Sequence, residues 1–307
     1  MSKRRHLKMD ERNMISNHMH FAILYELIES YKWTCKNISF QGGTSLHIVW
    51  NSPRYSEDLD FLLAAEEAPN LPKIMRKVLK NVQDRMVVMY PDCLIKLVNR
   101  TKENSPLHYF ELQWSEPQGA MEVIKTKVEF WTIEPKLLND YAPDLQMING
   151  NNLGVSIVPS ASLNSVYHDK LHALADRPYL KWRDLFDIWW MRTQYQNGSI
   201  RGIKEPWADI DHFFNKSYAV NAMYKQQPAD MIVGLEKFLN ADDHLIVEKS
   251  RKDLEPFLDD KLWSSMWPNK IEDIVRFVKD DIRHVVQLLK ERFPEYSVSD
   301  NTISRGC

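Results

Sequence analysis

The chain has 307 residues, 44% hydrophobic and 11% aromatic, which is enough for a packed core and excludes wholesale disorder. A formal net charge of −2 excludes a general electrostatic pull on nucleic acid, so any such binding must come from local patches. Cys35, Cys93 and Cys307 form no CxxC pair and suggest neither a disulfide framework nor a cysteine zinc site, and no apolar run approaches the roughly 18 residues of a membrane span.

The start, MSKRRHLKMDERN, is basic but lacks the apolar stretch of a secretory signal, so a cytoplasmic protein is expected. Residues 14–31 carry Met14, His18, Phe21, Leu24 and Ile28 at helical spacing. Asn37-Ile38-Ser39-Phe40 reads as a short strand running into Gly42-Gly43, and 44–50 reads as a helix stopped by Asn51-Ser52-Pro53. Residues 57–63 form a strand pattern, 72–82 an amphipathic helix with proline at its start, and strand-like runs follow near 86–98, 107–114 and 122–133. The boundary between the two domains is expected within 135–160, where DYAPDLQMINGNNLG supplies loop chemistry. Helices are expected over 161–175, 181–194, 203–214, 219–239 and 270–292, followed by a frayed tail, SVSDNTISRGC. The reading is an α+β protein: a mixed β-sheet flanked by helices over 1–150, then a mainly helical domain over 151–307.

Three features carry chemistry. On a strand Asp58 and Asp60 face one way while Leu59 and Phe61 face the core. Two carboxylates about 5–7 Å apart repel by about 1–3 kcal/mol at an effective dielectric near 20, and an oxygen-preferring divalent cation, Mg²⁺ or Mn²⁺, reverses that sign. A solvated strand edge would look the same. Gly42 and Gly43 precede a helix whose N-terminus suits a phosphate, although by themselves they fit a tight strand-to-helix turn better and no P-loop pattern is present. In KTKVEFW (125–131), alternation puts Lys127, Glu129 and Trp131 on one face. If that strand lies beside the Asp58–Asp60 strand, Glu129 becomes a third acid, and three acids beside a phosphate turn make a phosphoryl-transfer site.

The stretch GGTSLHIVWNSPRYSEDLDF resembles the signature of the nucleotidyltransferase fold superfamily, in particular the AbiEii/AbiGii toxin family, whose pattern is GGT-x-L followed by R-x-S-x-D-x-D. Gly42, Gly43, Thr44, Leu46, Arg54, Ser56, Asp58 and Asp60 match at the expected spacing. A second block, HDKLHALADRPYLKWRDLFDIW (168–189), is similar to the family's later motif through Lys170, Leu171, Ala173, Leu174, Arg177, Arg183, Asp184 and Asp187. The resemblance implies transfer of a nucleoside monophosphate from an NTP to an acceptor hydroxyl. In that scheme Asp58, Asp60 and Glu129 hold Mg²⁺ or Mn²⁺, and Glu129 doubles as a base. Gly42, Gly43 and Thr44 cradle phosphates, Arg54 and Ser56 orient the loop, and Lys170 neutralises the triphosphate. Arg177, Asp184 and Asp187 support the nucleotide site, with Asp184 as a candidate buried partner of Lys170. The family also implies a tRNA 3′ end as acceptor, a role as toxin in a toxin–antitoxin or phage-defence system, and a separate antitoxin.

Other residues weigh on this reading. Lys73, Lys77 and Lys80 form one helical stripe that, with the basic start, is a candidate RNA contact or simply a solvated face. His168 and His172 share a helix face, but the pattern lacks the glutamate and third ligand of a zinc helix. Two other readings keep the fold: transfer to a small molecule or a protein, and a non-catalytic binding protein. Retention of mutually repelling acids argues against the last.

Overall fold

The computed structural model describes residues 5–141, 143–150, 153–196 and 227–296. The chain forms two compact units: residues up to Ser162 with Phe257–Asp259, and Leu163–Pro256 with the chain from Asp260 onward.

The first unit is a seven-stranded mixed sheet. Its strands are β1 (Ile38–Gln41), β2 (Asp58–Ala64), β3 (Leu94–Asn99), β4 (Leu107–Ser115), β5 (Val123–Ile133), β6 (Asp144–Asn149) and β7 (Val155–Ser160), in spatial order β3-β4-β5-β2-β1-β7-β6. The β2–β5 and β1–β7 pairs are parallel and the others antiparallel. Four helices accompany the strands: α1 (Met9–Tyr31), α2 (Gly42–Ile48), α3 (Leu71–Met89) and the short α4 (Pro135–Asp140).

One face of the sheet is the core. Phe40, Leu59, Phe61, Leu63, Phe110, Leu112, Val128 and Phe130 meet Met19, Ile23 and Leu27 of α1 and Ile74, Met75, Val78 and Val82 of α3. Phe61 and Phe130 stack with ring centres 5.1 Å apart. Strand alternation sends Asp58, Asp60, Lys125, Lys127, Glu129, Tyr109 and Lys96 to the opposite face. This side of β3, β4 and β5 remains half-buried or exposed, apart from Glu111 and, at the end of β5, Ile133.

Two elements differ from expectation. Residues 86–89 continue α3 instead of starting a strand, because Met86 extends the buried stripe of Val78 and Val82 while Val88 faces solvent. The stretch DYAPDLQMINGNNLG, expected as loop at the domain boundary, instead supplies β6 of the β6–β7 hairpin, and the first unit runs on to Ser162.

The second unit is helical in its described part: α5 (Leu163–Asp176), α6 (Trp182–Gln196), α7 (Pro228–Leu239), α8 (Asp243–Asp253), α9 (Asp260–Met266) and α10 (Asn269–Arg292). In α10 the stripe Ile271, Ile274, Val275, Val278, Ile282, Val285 and Leu289 is buried, as its apolar spacing requires. At Gly234 a side chain would strike the backbone carbonyl of Ala175, so α5 and α7 pack backbone to backbone there. The helix expected over 203–214 lies outside the described residues, as does the first part of 219–239. No described helix is long and apolar enough to cross a membrane.

Candidate active site

β1 passes directly into α2, so both glycines fall inside the first helical turn. Gly42 has φ +76°, a left-handed conformation that costs other residues roughly 1–2 kcal/mol. A methyl group at Gly42 would also collide with the Asp60 carboxylate, and one at Gly43 would strike the Arg54 guanidinium and lie 3.0 Å from Ser56 Oγ. The two halves of the sequence signature therefore pack against each other through the absence of side chains. Thr44, fully buried, donates its hydroxyl to the Asp58 carbonyl, and Ser45 Oγ donates to the Gly42 carbonyl at 2.9 Å. The Thr44 side chain is thus committed to building the turn. Its backbone N–H belongs to a helix start that no side chain caps.

The connection from α2 to β2 is held from behind. Arg54 is buried and its Nη1 donates to the Tyr55 carbonyl at 2.8 Å. His47 Nδ1 lies 2.8 Å from the Ser52 carbonyl, and the Tyr55 N–H donates to the Phe257 carbonyl at 2.8 Å within the same unit. His20 of α1 reaches the Glu57 carbonyl through Nε2 at 3.1 Å. Burial lowers the His20 pKa to about 4, so the ring is neutral and its Nε2 carries the donated proton. His20 thereby fixes the chain one residue before Asp58, a role its sequence position does not reveal.

Sheet register brings the acids together. Asp60 pairs with Glu129 and Asp58 with Lys127 across the parallel β2–β5 ladder. The Asp60–Glu129 row continues to Tyr109 on β4 and to Gln41 on β1. Asp58, Asp60 and Glu129 therefore share one face, with Leu59, Phe61 and Val128 buried on the other. The condition set in the sequence, adjacency of the two strands, is met.

Lys127 Nζ stands 3.4 Å from Asp58 Oδ2. Burial pushes its pKa down, but Asp58, Tyr109 and Glu129 outweigh this and raise it, so the side chain is a firm cation among acids. Among the described residues no three His, Cys, Asp or Glu side chains are gathered closely enough to hold an ion. The donor set still fits an oxygen-preferring divalent ion. It is all carboxylate, it lies on one face in adjacent register, and the missing side chain of Gly42 lets the Asp60 carboxylate lie directly against the β1–α2 turn. Lys127 sits against Asp58 as the local counter-charge. Gln41 adds a buried amide oxygen without a partner on the Asp60 row.

The second motif builds its own cluster inside the second unit. Lys170 Nζ lies 2.8 Å from both Asp184 Oδ1 and Asp187 Oδ2, and Arg177 pairs with the other oxygen of Asp184. Both aspartates are buried. Burial raises the Asp184 pKa, but Lys170 and Arg177 prevail and hold it below the usual carboxylate range. A cavity of about 770 Å³ in this unit is bordered by Arg177, Tyr179 and Lys249, with Val233 and Leu245 also lining it. His172 is buried within α5, and no zinc cluster is present among the described residues.

Sequence reasoning placed Lys127 on the correct face without seeing its pairing with Asp58, and it missed Gln41, Tyr109 and His20. Alternation along β1 and β4 could give only the faces of Gln41 and Tyr109, and the long-range strand pairing sets them on the acid row. Lys73, Lys77 and Lys80 are exposed on α3, which packs against the sheet face opposite the acids. Lys77 Nζ lies 5.4 Å from the Tyr31 ring centre.

The profile of the family described as nucleotidyl transferase AbiEii toxin, type IV TA system, matches residues 32–295. No curated protein matches the chain. Among solved structures, the chain is similar to JHP933 from Helicobacter pylori, with 17% identity and a TM-score of 0.48 over 94% of this chain and 96% of that one. It is also similar to MenT4, a nucleotidyltransferase toxin from Mycobacterium tuberculosis H37Rv, with 14% identity and a TM-score of 0.48 over 95% of this chain and 93% of that one.

Proposed function

Because the chain belongs to the AbiEii family of nucleotidyl transferase toxins of type IV toxin–antitoxin systems, we propose that it moves a nucleoside monophosphate from an NTP to a hydroxyl of an RNA acceptor, a tRNA 3′ end, and that a separate antitoxin restrains it. One observation carries this reading beyond the family: Asp60 and Glu129 are paired in parallel register one row from Asp58, with the Asp60 carboxylate packed against Gly42 of the β1–α2 turn.

Asp58, Asp60 and Glu129 are the residues that would hold magnesium or manganese. Such an ion, when bound, offsets phosphate charge and makes the attacking hydroxyl more acidic. The backbone amides of Gly43 and Thr44, at a helix start without a side-chain cap, would receive the outer phosphates. Arg54 and Ser56 keep that turn in shape from below. In the transfer, the acceptor oxygen forms a bond to the α-phosphorus as the bond from that phosphorus to the pyrophosphate oxygen breaks. The hydroxyl proton passes to the Glu129 carboxylate and then to solvent, and pyrophosphate leaves.

The test is incubation of the protein with each α-labelled NTP, Mg²⁺ or Mn²⁺, and total tRNA, with cellular protein and small-molecule fractions as alternative acceptors. Label in tRNA supports the proposal. Label confined to another fraction changes the acceptor, and no label in any fraction overturns it.

A further inference from the structure

The acids lie on the sheet face away from α1 and α3, so an acceptor end must approach them over that face. Along β5 that face carries Val123, Lys125, Lys127, Glu129, Trp131 and Ile133, and register sets Lys96 of β3 beside Gln113 of β4 beside Lys125. This row precedes the Lys127–Asp58 row and stands two rows from the Glu129–Asp60 row, a distance of about 13 Å at strand rise. Lys96 and Lys125 are two strands apart, roughly 10 Å. Both are exposed, and neither forms an ion pair among the described residues.

One acid interrupts the face, and it is covered. Glu111 is 6% exposed, accepts from Gln113 Nε2 and has Arg100 Nη2 at 3.9 Å. The charged groups that meet solvent there are therefore cationic, Lys96, Lys125, Arg100 and then Lys127, with Leu94 and Val123 exposed in the row beyond them. At the far end Tyr109 stands beside Glu129 and Trp131 follows it on the same face, both half-buried. A basic path that ends in aromatic side chains is the arrangement that holds single-stranded nucleic acid, with cations along the backbone and rings under bases.

We infer that the open face of β3–β4–β5 is the acceptor track. A single-stranded RNA 3′ end lies along Lys96 and Lys125, passes Lys127, and sets its terminal base against Tyr109 beside Glu129. The inference rests on the RNA-acceptor reading above and adds the surface and the polarity of approach. It also replaces the α3 stripe, because Lys73, Lys77 and Lys80 stand on the other side of the sheet and cannot border a path to the acids.

The experiment uses the full chain and a fluorescent hairpin RNA with a single-stranded 3′ tail, with binding followed by anisotropy across a salt series and transfer followed with labelled NTP. K96E/K125E should weaken RNA binding at least tenfold. The slope of log affinity against log salt should fall by about 1.4, two phosphate contacts at about 0.7 each. Its binding of a fluorescent NTP should stay at the wild-type level. K96Q/K125Q should show the same change to a smaller degree and serves if the charge reversal perturbs folding. Tyr109→Phe should bind the RNA tail as wild type does and Tyr109→Ala about tenfold more weakly. The inference is overturned if K73E/K77E/K80E loses RNA affinity while K96E/K125E keeps it. It is equally overturned if both keep it while RNA is still labelled, a result that leaves the transfer reading standing. Wild-type protein that labels no RNA removes the reading itself.

Discussion

Gly42→Ala adds one methyl group and imposes two separate penalties. The first is conformational: alanine at φ +76° costs about 1–2 kcal/mol, a melting shift of roughly 2–8 °C for a domain of this size. The second is local, because the new methyl collides with the Asp60 carboxylate, which must rotate away from its row with Glu129. A displacement near 1 Å at a reacting centre costs about 100-fold in rate. Gly154 isolates the first penalty, since its φ is +102° and nothing lies within 4 Å of the added methyl. Gly42→Ala and Gly154→Ala should lose similar unfolding free energy in urea. Only Gly42→Ala should lose about 100-fold or more in transfer and bind Mn²⁺ more weakly by electron paramagnetic resonance. If both variants transfer within about threefold of each other, the close approach of Gly42 to Asp60 has no functional role and the geometry argued here is wrong.

Asp58→Asn should reduce transfer to background and weaken Mn²⁺ binding. It should change stability by no more than about 1 kcal/mol, because the Lys127 pair it loses is part-exposed; retained transfer rules out the carboxylate site. Lys170→Met leaves Asp184 and Asp187 buried without their shared cation and should cost about 3–5 kcal/mol in urea unfolding. A loss under about 1 kcal/mol would mean that other contacts hold those carboxylates. Buried His20 titrates at about 4, below its ordinary 6.5, so the unfolded chain binds the extra proton first as pH falls. Its share of stability is whole above pH 6.5 and declines towards pH 4, by about 3 kcal/mol in all. His20→Gln should flatten the pH dependence of unfolding in that window, and an unchanged slope removes this account.

The opening motif was legible because its spacing maps directly onto local structure. Gly42-Gly43 lies at the β1–α2 junction and Asp58-Leu59-Asp60 alternates on β2. Glu129 needed more, since alternation fixes its face but only pairing of β2 with β5 sets it beside Asp60. That pairing is long-range, and no local pattern specifies it. The α3 terminus was misread because Met86-Val87-Val88-Met89 has strand-like composition, whereas its buried spacing continues a helix. The β6–β7 hairpin was hidden because Met147, Val155 and Ile157 are exposed there, so the usual inside–outside contrast is missing. The Lys170 cluster spans the turn between two helices; Asp184, the partner expected from the aromatic run around it, takes the lysine, and Asp187 shares it.

The β2–β5 ladder has a consequence for biogenesis. Because the third carboxylate of the proposed site arrives on a strand inserted between β4 and β2, a growing or truncated chain that stops before β5 carries two repelling acids and lacks that site. A slip of one residue in that ladder would turn Glu129 into the core and bring Val128 out, with the same inert result. On the proposed three-acid site, activity thus requires that the sheet close in the correct alignment.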